Sequence, residues 1–316
     1  MNPYYKRLVE MVVAGQFEQA RQFCRFTVLT GYNMKTTDDK MFMEKMLAIF
    51  EEKKAKEPPQ GLKNILVIED YGDDPGLFPE TRFLLRQEDA EEVNRILALY
   101  RAAEELRARG VNFLPATIFH GPSGCGKTML ARYVAYRAKL PFVYVRFATL
   151  INSHLGETGQ SVGKIFEFVK TFPCVLCFDE LDTVARKRGE GQDVNEMSRV
   201  ATTIMQELDM LPSTVCAIGT TNIYEALDPA ITRRFTANYE VKPYTPVEYR
   251  AMAHKFFAAA QLTNEKTKAF CDAIKAPEGK TMTGADVERL CAEEAARMIL
   301  EGEVEPLAPK SPVELL

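Results

Sequence analysis

The stretch His120–Leu130, "HGPSGCGKTML", places three glycines, a lysine and a threonine between two apolar runs. Gly121, Gly126, Lys127 and Thr128 fit the spacing G-x-x-x-x-G-K-[ST]. The run before them has strand character, and Met129, Leu130 and Val134 after them have helical spacing. A polyphosphate concentrates several negative charges. Backbone N–H groups that glycine allows to come close, together with a helix N-terminus, can surround it. Gly121, Pro122, Ser123, Gly124, Cys125, Gly126, Lys127, Thr128 and Met129 are therefore the expected phosphate cradle, with Lys127 reaching the outer phosphates and Thr128 offering its hydroxyl to Mg²⁺.

A second stretch, "CVLCFDELD" (Cys174–Asp182), ends an apolar run in Asp179 and Glu180. A buried strand that delivers two carboxylates at its C-terminal tip puts them where an open α/β sheet holds its ligand. Asp179 is expected to hold the Mg²⁺ shell, and Glu180 to polarise a water for in-line attack on a γ-phosphate. Alone, the pair reads better as solvated acids on a strand-to-loop turn; the glycine loop reverses that preference.

Positioning such groups requires a sheet. Apolar runs at Thr117–Phe119, Phe142–Phe147, Val175–Phe178 and Val215–Ile218 alternate with helical patterns, which predicts an α/β fold with a parallel sheet covered by helices on both faces. A long amphipathic helix is expected over Glu88–Arg109, closed by Gly110. The pattern divides the chain into a helical N-terminal segment (1–57) of three short helices broken at Gly15-Gln16, a linker (58–87) with a short strand at Ile65–Ile68, a large subdomain (88–244), a small all-helical subdomain (245–304) and a Pro- and Glu-rich tail (305–316) expected to be mobile.

Composition narrows the partners. A net charge of −4 gives no reason to expect indiscriminate attraction to nucleic acid. The seven cysteines show no secretory spacing, the N-terminus has no apolar signal segment, and no run approaches the roughly 18 apolar residues of a membrane span, so a reducing cytoplasm is expected. Cys174 and Cys177, three apart on one strand, should point to opposite faces and cannot share a metal. His120, His154 and His254 are too scattered for a ligand set.

Over residues 88–300 the motifs, in this order, resemble an AAA-type ATPase of the AAA+ superfamily, nearest in pattern to single-ring members of the katanin and spastin branch and to bacterial single-domain members. "GPSGCGKT" resembles the Walker A loop and "VLCFDELD" the Walker B strand. The resemblance implies a P-loop NTPase fold with a helical lid, ATP and Mg²⁺ as cofactors, and hydrolysis to ADP and phosphate. It implies further that Asn222, ending "AIGTTN", senses the γ-phosphate or attacking water, that Arg233 and Arg234 in "LDPAITRRF" are arginine fingers, and that Gly284 and Ala285 in "MTGADVERL" pack near the nucleotide. His154, Leu155 and Gly156 resemble the substrate-gripping pore loop, with histidine where the family has an aromatic residue; an imidazole can still wedge against a threaded chain, but it is smaller and titrates near neutral pH.

Guanidinium never loses its charge and grips phosphate oxygens bidentately, so an arginine supplied by a neighbour can stabilise transition-state charge. A site completed in trans implies a homo-oligomeric ring, hexameric by the resemblance, acting on a protein substrate. Two other readings share the same site: an ATP-dependent nucleic-acid loader or regulator, and a nucleotide-switched scaffold. Arg186–Arg188 after the carboxylate pair read as a solvated charged loop, and "AGQFEQA" near the N-terminus faintly resembles helical adaptor modules.

Overall fold

The structure, a computed structural model, describes residues 58–152, 158–184, 194–276 and 282–302, with residues 3–13 and scattered positions between 20 and 46 in the N-terminal region. Contacts divide the chain into residues 1–56 and 57–316. The first unit holds α1 (Pro3–Val13), and Leu8, Ala20, Cys24 and Met43 form its own small apolar cluster. The Gly15-Gln16 break lies outside the described residues.

In the second unit a six-stranded sheet comprises β1 (Leu66–Asp70), β2 (Ala116–His120), β3 (Pro141–Val145), β4 (Cys174–Phe178), β5 (Val215–Thr221) and β6 (Ala237–Glu240), in the order β1-β3-β4-β5-β2-β6. Both faces are covered. On one, α2 (Gln87–Ala108) and α3 (Lys127–Ala138) bury Val93, Ile96, Leu130 and Val134 against Phe119, Phe142, Cys177 and Ile218. On the other, α4 (Phe147–Asn152), α5 (Thr158–Val169) and α6 (Val194–Asp209) pack Leu150, Phe166 and Ile204 against Val143, Cys174, Leu176 and Phe178. All five residues of β4 and all seven of β5 are buried, as the continuous apolar runs of a doubly covered sheet require. Cys174 and Cys177 accordingly face different layers.

Two strands depart from the expected pattern. Every pairing is parallel except that of β1, which runs antiparallel to β3. As an edge strand entered from outside the alternating β–α units, β1 has no crossover helix to fix its direction. The other edge, β6, has the sequence "ANYE" with alternate residues exposed, so it carries no apolar run to mark it. Phe147, expected to end a strand, instead opens α4 beneath the sheet.

After a short α7 (Pro229–Thr232) and β6, the chain becomes wholly helical in α8 (Pro246–Ala259), α9 (Glu265–Ala273) and α10 (Gly284–Leu300). Each starts with a side chain capping its free N–H groups, Thr245, Asn264 and Thr283 respectively, in reciprocal pairs with Glu248, Thr267 and Asp286. Tyr249, Phe257, Cys271, Val287 and Cys291 form a core of their own.

One consequence of the strand order matters most. Because β5 lies between β2 and β4, the C-terminal ends of three adjacent strands deliver the glycine loop, residue 222 and the carboxylate pair to the same edge.

Candidate functional site

The glycine loop follows β2 and opens α3, with Gly126 as N-cap in the left-handed region (φ 92°). Gly121 has φ +142°, and a Cβ there would lie 2.2 Å from the Val241 carbonyl oxygen. At Gly124 (φ +78°) a Cβ would lie 2.4 Å from the Thr283 methyl at the start of α10. These two glycines thus let the loop pass against β6 and against the small helical domain. The first turn of α3 carries no acidic residue, so its partial positive charge stays open to an anion.

Lys127 opens α3 and is only 8% exposed. Its ammonium donates to the carbonyls of Gly121 and Pro122 and to Asn222 Oδ1, each at 2.8 Å. Burial pushes its pKa down, opposed by Cys125 and the nearby carboxylates of Asp179, Asp182 and Glu180. Burial likewise pushes the Cys125 thiol up, against the pull of Lys127, so the cysteine in the loop is not an activated nucleophile.

Asp179 accepts three hydroxyl hydrogen bonds. Thr128 donates to Oδ1 at 3.0 Å, Thr220 donates to the same oxygen, and Tyr144 donates to Oδ2 at 2.7 Å. Burial, and then the bond to Asp179, push the Tyr144 phenol above its ordinary range, so it is a donor here. A hydroxyl and a carboxylate converging beside the phosphate loop are the oxygen ligands a hard divalent cation takes when phosphate and water complete its shell, so Thr128 and Asp179 fit Mg²⁺.

Glu180 is exposed, and its backbone is left-handed (φ 52°, ψ 49°). The other non-glycine residues with positive φ among the described residues, Lys139 and Gln261, follow helix ends, where this conformation is common. Glu180 follows a buried strand instead, at a cost of about 1–2 kcal/mol. Its N–H donates to the Thr220 hydroxyl at 3.1 Å, which turns the side chain out of the sheet edge.

Asn222 is anchored by Asp182, a buried carboxylate the motif reading passed over. Its Oδ1 accepts from the Thr221 hydroxyl at 2.8 Å and from the Asn222 N–H at 3.3 Å. The available signal was the second aspartate of "DELD", too close to the strand tip to be free in solvent.

A cavity of about 420 Å³ joins these groups. Ser123, Gly124, Lys127, Thr128, Asp179, Glu180 and Asn222 line its polar end, and Met129, Gly284 and Ala285 its flank. Its apolar end is built from Met252 and Phe256 of α8 and from Pro79, Phe83 and Leu84, which precede α2 and which the sequence reading left in a linker. The Arg82 guanidinium lies 5.1 Å from the Phe256 ring centre, and Lys255 donates to the Phe83 carbonyl at 2.8 Å, tying the two walls together. The aromatic cluster of "FPETRFLL" was the only local hint.

The arginine pair lies elsewhere. Arg234 turns back on its own chain, donating to the Ala230 carbonyl at 2.6 Å, the Met205 carbonyl at 3.2 Å and Asp209 at 3.0 Å. Arg233 is exposed and has no such partner among the described residues. Two residues beyond Arg234, Thr236 bonds the Ala116 carbonyl at the start of β2, whereas Gly121 follows the end of that strand. A five-residue strand is about 16 Å long, so the pair sits across the sheet from its own chain's cradle. His154, Leu155 and Gly156 lie outside the described residues, as do Arg186–Arg188 and the tail.

A parallel-dominated sheet whose central strands bring a glycine loop, a carboxylate pair and an asparagine to one edge defines a P-loop NTPase. Residues 117–243 match the family described as "ATPase family associated with various cellular activities (AAA)", so this stretch of the chain is an AAA ATPase domain. It is 34% identical over 203 residues to the AAA family ATPase y4kL of Sinorhizobium fredii, an alignment covering 64% of this chain and 59% of that protein. It is also 34% identical over 197 residues to the peroxisomal ATPase PEX6 of Arabidopsis thaliana, covering 60% of this chain and 21% of PEX6. The chain therefore spans well under two thirds of the curated relatives it matches. A chain of the E. coli MS115-1 HORMA:CdnC:Trip13 complex shares the fold with a TM-score of 0.53 at 18% identity, covering 75% of this chain and 88% of its own. These matches share the AAA domain and do not distinguish the katanin and spastin branch expected from the Arg233-Arg234 motif.

Proposed function

We propose that this chain hydrolyses ATP to ADP and phosphate as a subunit of a homo-oligomeric, hexameric ring that remodels a protein substrate through its central channel, in the cytoplasm. The triphosphate enters the cradle, and Lys127 exchanges its neutral acceptors for phosphate oxygens. The base occupies the apolar end between Pro79, Phe83 and Phe256. When bound, Mg²⁺ at Thr128 and Asp179 supplies charge neutralisation at the outer phosphates. Glu180, turned outward by its left-handed backbone, orients the attacking water. Asn222, released from Lys127, is placed to bond the γ-phosphate or that water. Arg233 of the adjacent subunit meets the developing charge, and Arg234 holds the turn that presents it.

The observation that carries this reading is the position of Arg233: exposed, without a partner among the described residues, and a strand's length from its own phosphate loop. A catalytic arginine in that place can serve only another copy. The cytoplasmic assignment is supported by the seven cysteines, all unpaired and buried, and among the described residues no helix is long and apolar enough to cross a membrane. The protein-substrate assignment is supported by the relatives' family and by the absence of a basic excess.

The test mixes two inactive variants, Glu180→Gln and Arg233→Ala. In a mixed ring the intact Glu180 of one subunit meets the intact Arg233 of its neighbour, so turnover reappears on mixing. A mixture as inactive as its parts overturns the trans arrangement. Stimulation of wild-type turnover by an unfolded polypeptide is the expected second result, and stimulation by DNA instead moves the function to a nucleic-acid factor.

A further inference from the structure

Tyr144 does something the phosphate chemistry does not explain. It lies on β3, beside β4, whose C-terminal end leads into the carboxylate pair, and it is paired in register with Cys177. A phenylalanine would fill the same apolar space, yet the hydroxyl at this position reaches Asp179 Oδ2 at 2.7 Å. The opposite oxygen, Oδ1, is held by Thr128 and Thr220. Both oxygens of Asp179 are thus fixed by neutral hydroxyl donors from three elements, α3, β3 and β5, with no cation among its hydrogen-bond donors.

The tyrosine is itself held. The Arg132 guanidinium of α3 sits 5.8 Å from the Tyr144 ring centre and 5.4 Å from that of Phe142, clamped over the strand. Arg132 is paired at 2.9 Å with Glu69 of β1, and Glu69 also accepts from the Tyr71 hydroxyl. A continuous chain of polar and ring contacts therefore runs from Tyr71 and Glu69 on the antiparallel edge strand, through Arg132 and Tyr144, to Asp179 at the phosphate loop. Arg132 and Glu69 are each about three-quarters buried, at 26% and 25% side-chain exposure, so the pair is shielded from solvent.

We propose that Tyr144 is a positioning residue for the cation site: its hydroxyl holds the Asp179 carboxylate in the orientation that receives Mg²⁺ with the nucleotide, and the Glu69–Arg132 pair holds the Tyr144 ring. A carboxylate with one oxygen untethered would have to be ordered each time the cation binds. Outer partners of this kind change metal affinity by about tenfold or more when removed. The proposal rests on the reading of Thr128 and Asp179 as the cation pair.

The test is binding of a fluorescent ATP analogue to the full chain, measured in EDTA and across a Mg²⁺ titration. Tyr144→Phe keeps the ring and removes the hydroxyl. It is expected to bind the analogue in EDTA as the wild type does, to keep its melting temperature, and to need about tenfold more Mg²⁺ to reach half of the Mg²⁺-dependent gain in affinity. Asp179→Ala is expected to lose that gain altogether. If Asp179→Ala loses it while the Tyr144→Phe curve superimposes on wild type, with or without a fall in melting temperature, Tyr144 is only a packing residue and the proposal is overturned while the cation pair stands. If Asp179→Ala also keeps the gain, the cation pair is misassigned and the proposal falls with it.

Discussion

The phosphate loop and the Arg233-Arg234 turn belong to one sheet but are finished to different degrees. At the loop three of the groups are already matched: Lys127 has three acceptors, Asp179 three donors, and Asn222 a buried carboxylate behind it. At the turn Arg234 is matched, and Arg233 has no partner among the described residues. Buried charges must be matched wherever they lie, so the loop's completeness follows from folding alone. An exposed guanidinium with no partner among the described residues is under no such demand, which is why the proposed function gives it to another copy. A cradle that one chain completes and an arginine that it leaves open are what a shared site looks like from one side.

This contrast is tested first at the loop. Lys127→Ala leaves the Gly121 and Pro122 carbonyls and Asn222 facing a void and removes the ammonium that opens α3. Nucleotide affinity should fall by at least 100-fold in equilibrium binding, and unchanged affinity would show that the cavity does not hold phosphate there. At the turn, Arg233→Ala should lower ATP turnover by roughly 1,000-fold while binding and melting temperature stay as they were. Glu180→Gln should lower turnover by about 100-fold with ATP retained, since it removes the base and keeps the shape. If Arg233→Ala instead impaired nucleotide binding by the isolated chain, the arginine would belong to its own subunit's cradle and the comparison would fail.

What was legible beforehand followed the same division. The glycine loop, Asp179-Glu180 and Asn222 each sit in one contiguous stretch at the tip of an apolar strand, so strand, tip and chemistry are read together. Pro79, Phe83 and Leu84 were not legible as a wall of the cavity, because they meet Phe256 only after the helical domain folds back across the intervening sheet. Tyr144 reads as one more aromatic residue in a buried strand, and only its register beside β4 gives the hydroxyl a use. β6 lacked the apolar run that marks a covered strand, and the antiparallel β1 lacked a crossover to set its direction. Nor could tandem arginines be told apart by spacing: their different fates depend on Asp209 and the Met205 carbonyl at the end of α6.

That difference sharpens into a smaller effect. Arg234→Ala removes bonds to two backbone carbonyls and a half-exposed ion pair with Asp209, whose side chain is 53% exposed. Solvent screens the ion pair, so the loss should be about 1 kcal/mol of stability, seen as a melting temperature a few degrees lower. Turnover should fall only as far as the turn carrying Arg233 loosens. Equal losses of turnover in Arg233→Ala and Arg234→Ala, with neither changing stability, would mean that both guanidiniums reach the neighbouring site and that the bonds of Arg234 break on assembly.

The smallest expected effect is also opposite in sign. The left-handed backbone at Glu180 costs about 1–2 kcal/mol relative to an ordinary conformation, and glycine does not bear that cost. Glycine brings its own penalty of roughly 0.5–1 kcal/mol through the freedom it adds to the unfolded chain. Glu180→Gly should therefore stabilise the chain by up to about 1 kcal/mol while turnover falls, whereas Glu180→Gln, which keeps a Cβ, should lose turnover by about 100-fold with no gain in stability. A melting curve for each variant, in the absence of nucleotide, separates them. A gain for glycine alone would show that the strand tip holds a strained residue whose side chain, not its contribution to folding, keeps it there. Equal melting temperatures would mean that the freedom glycine adds to the unfolded chain cancels the strain it relieves, and the left-handed backbone would then carry no net advantage for glycine.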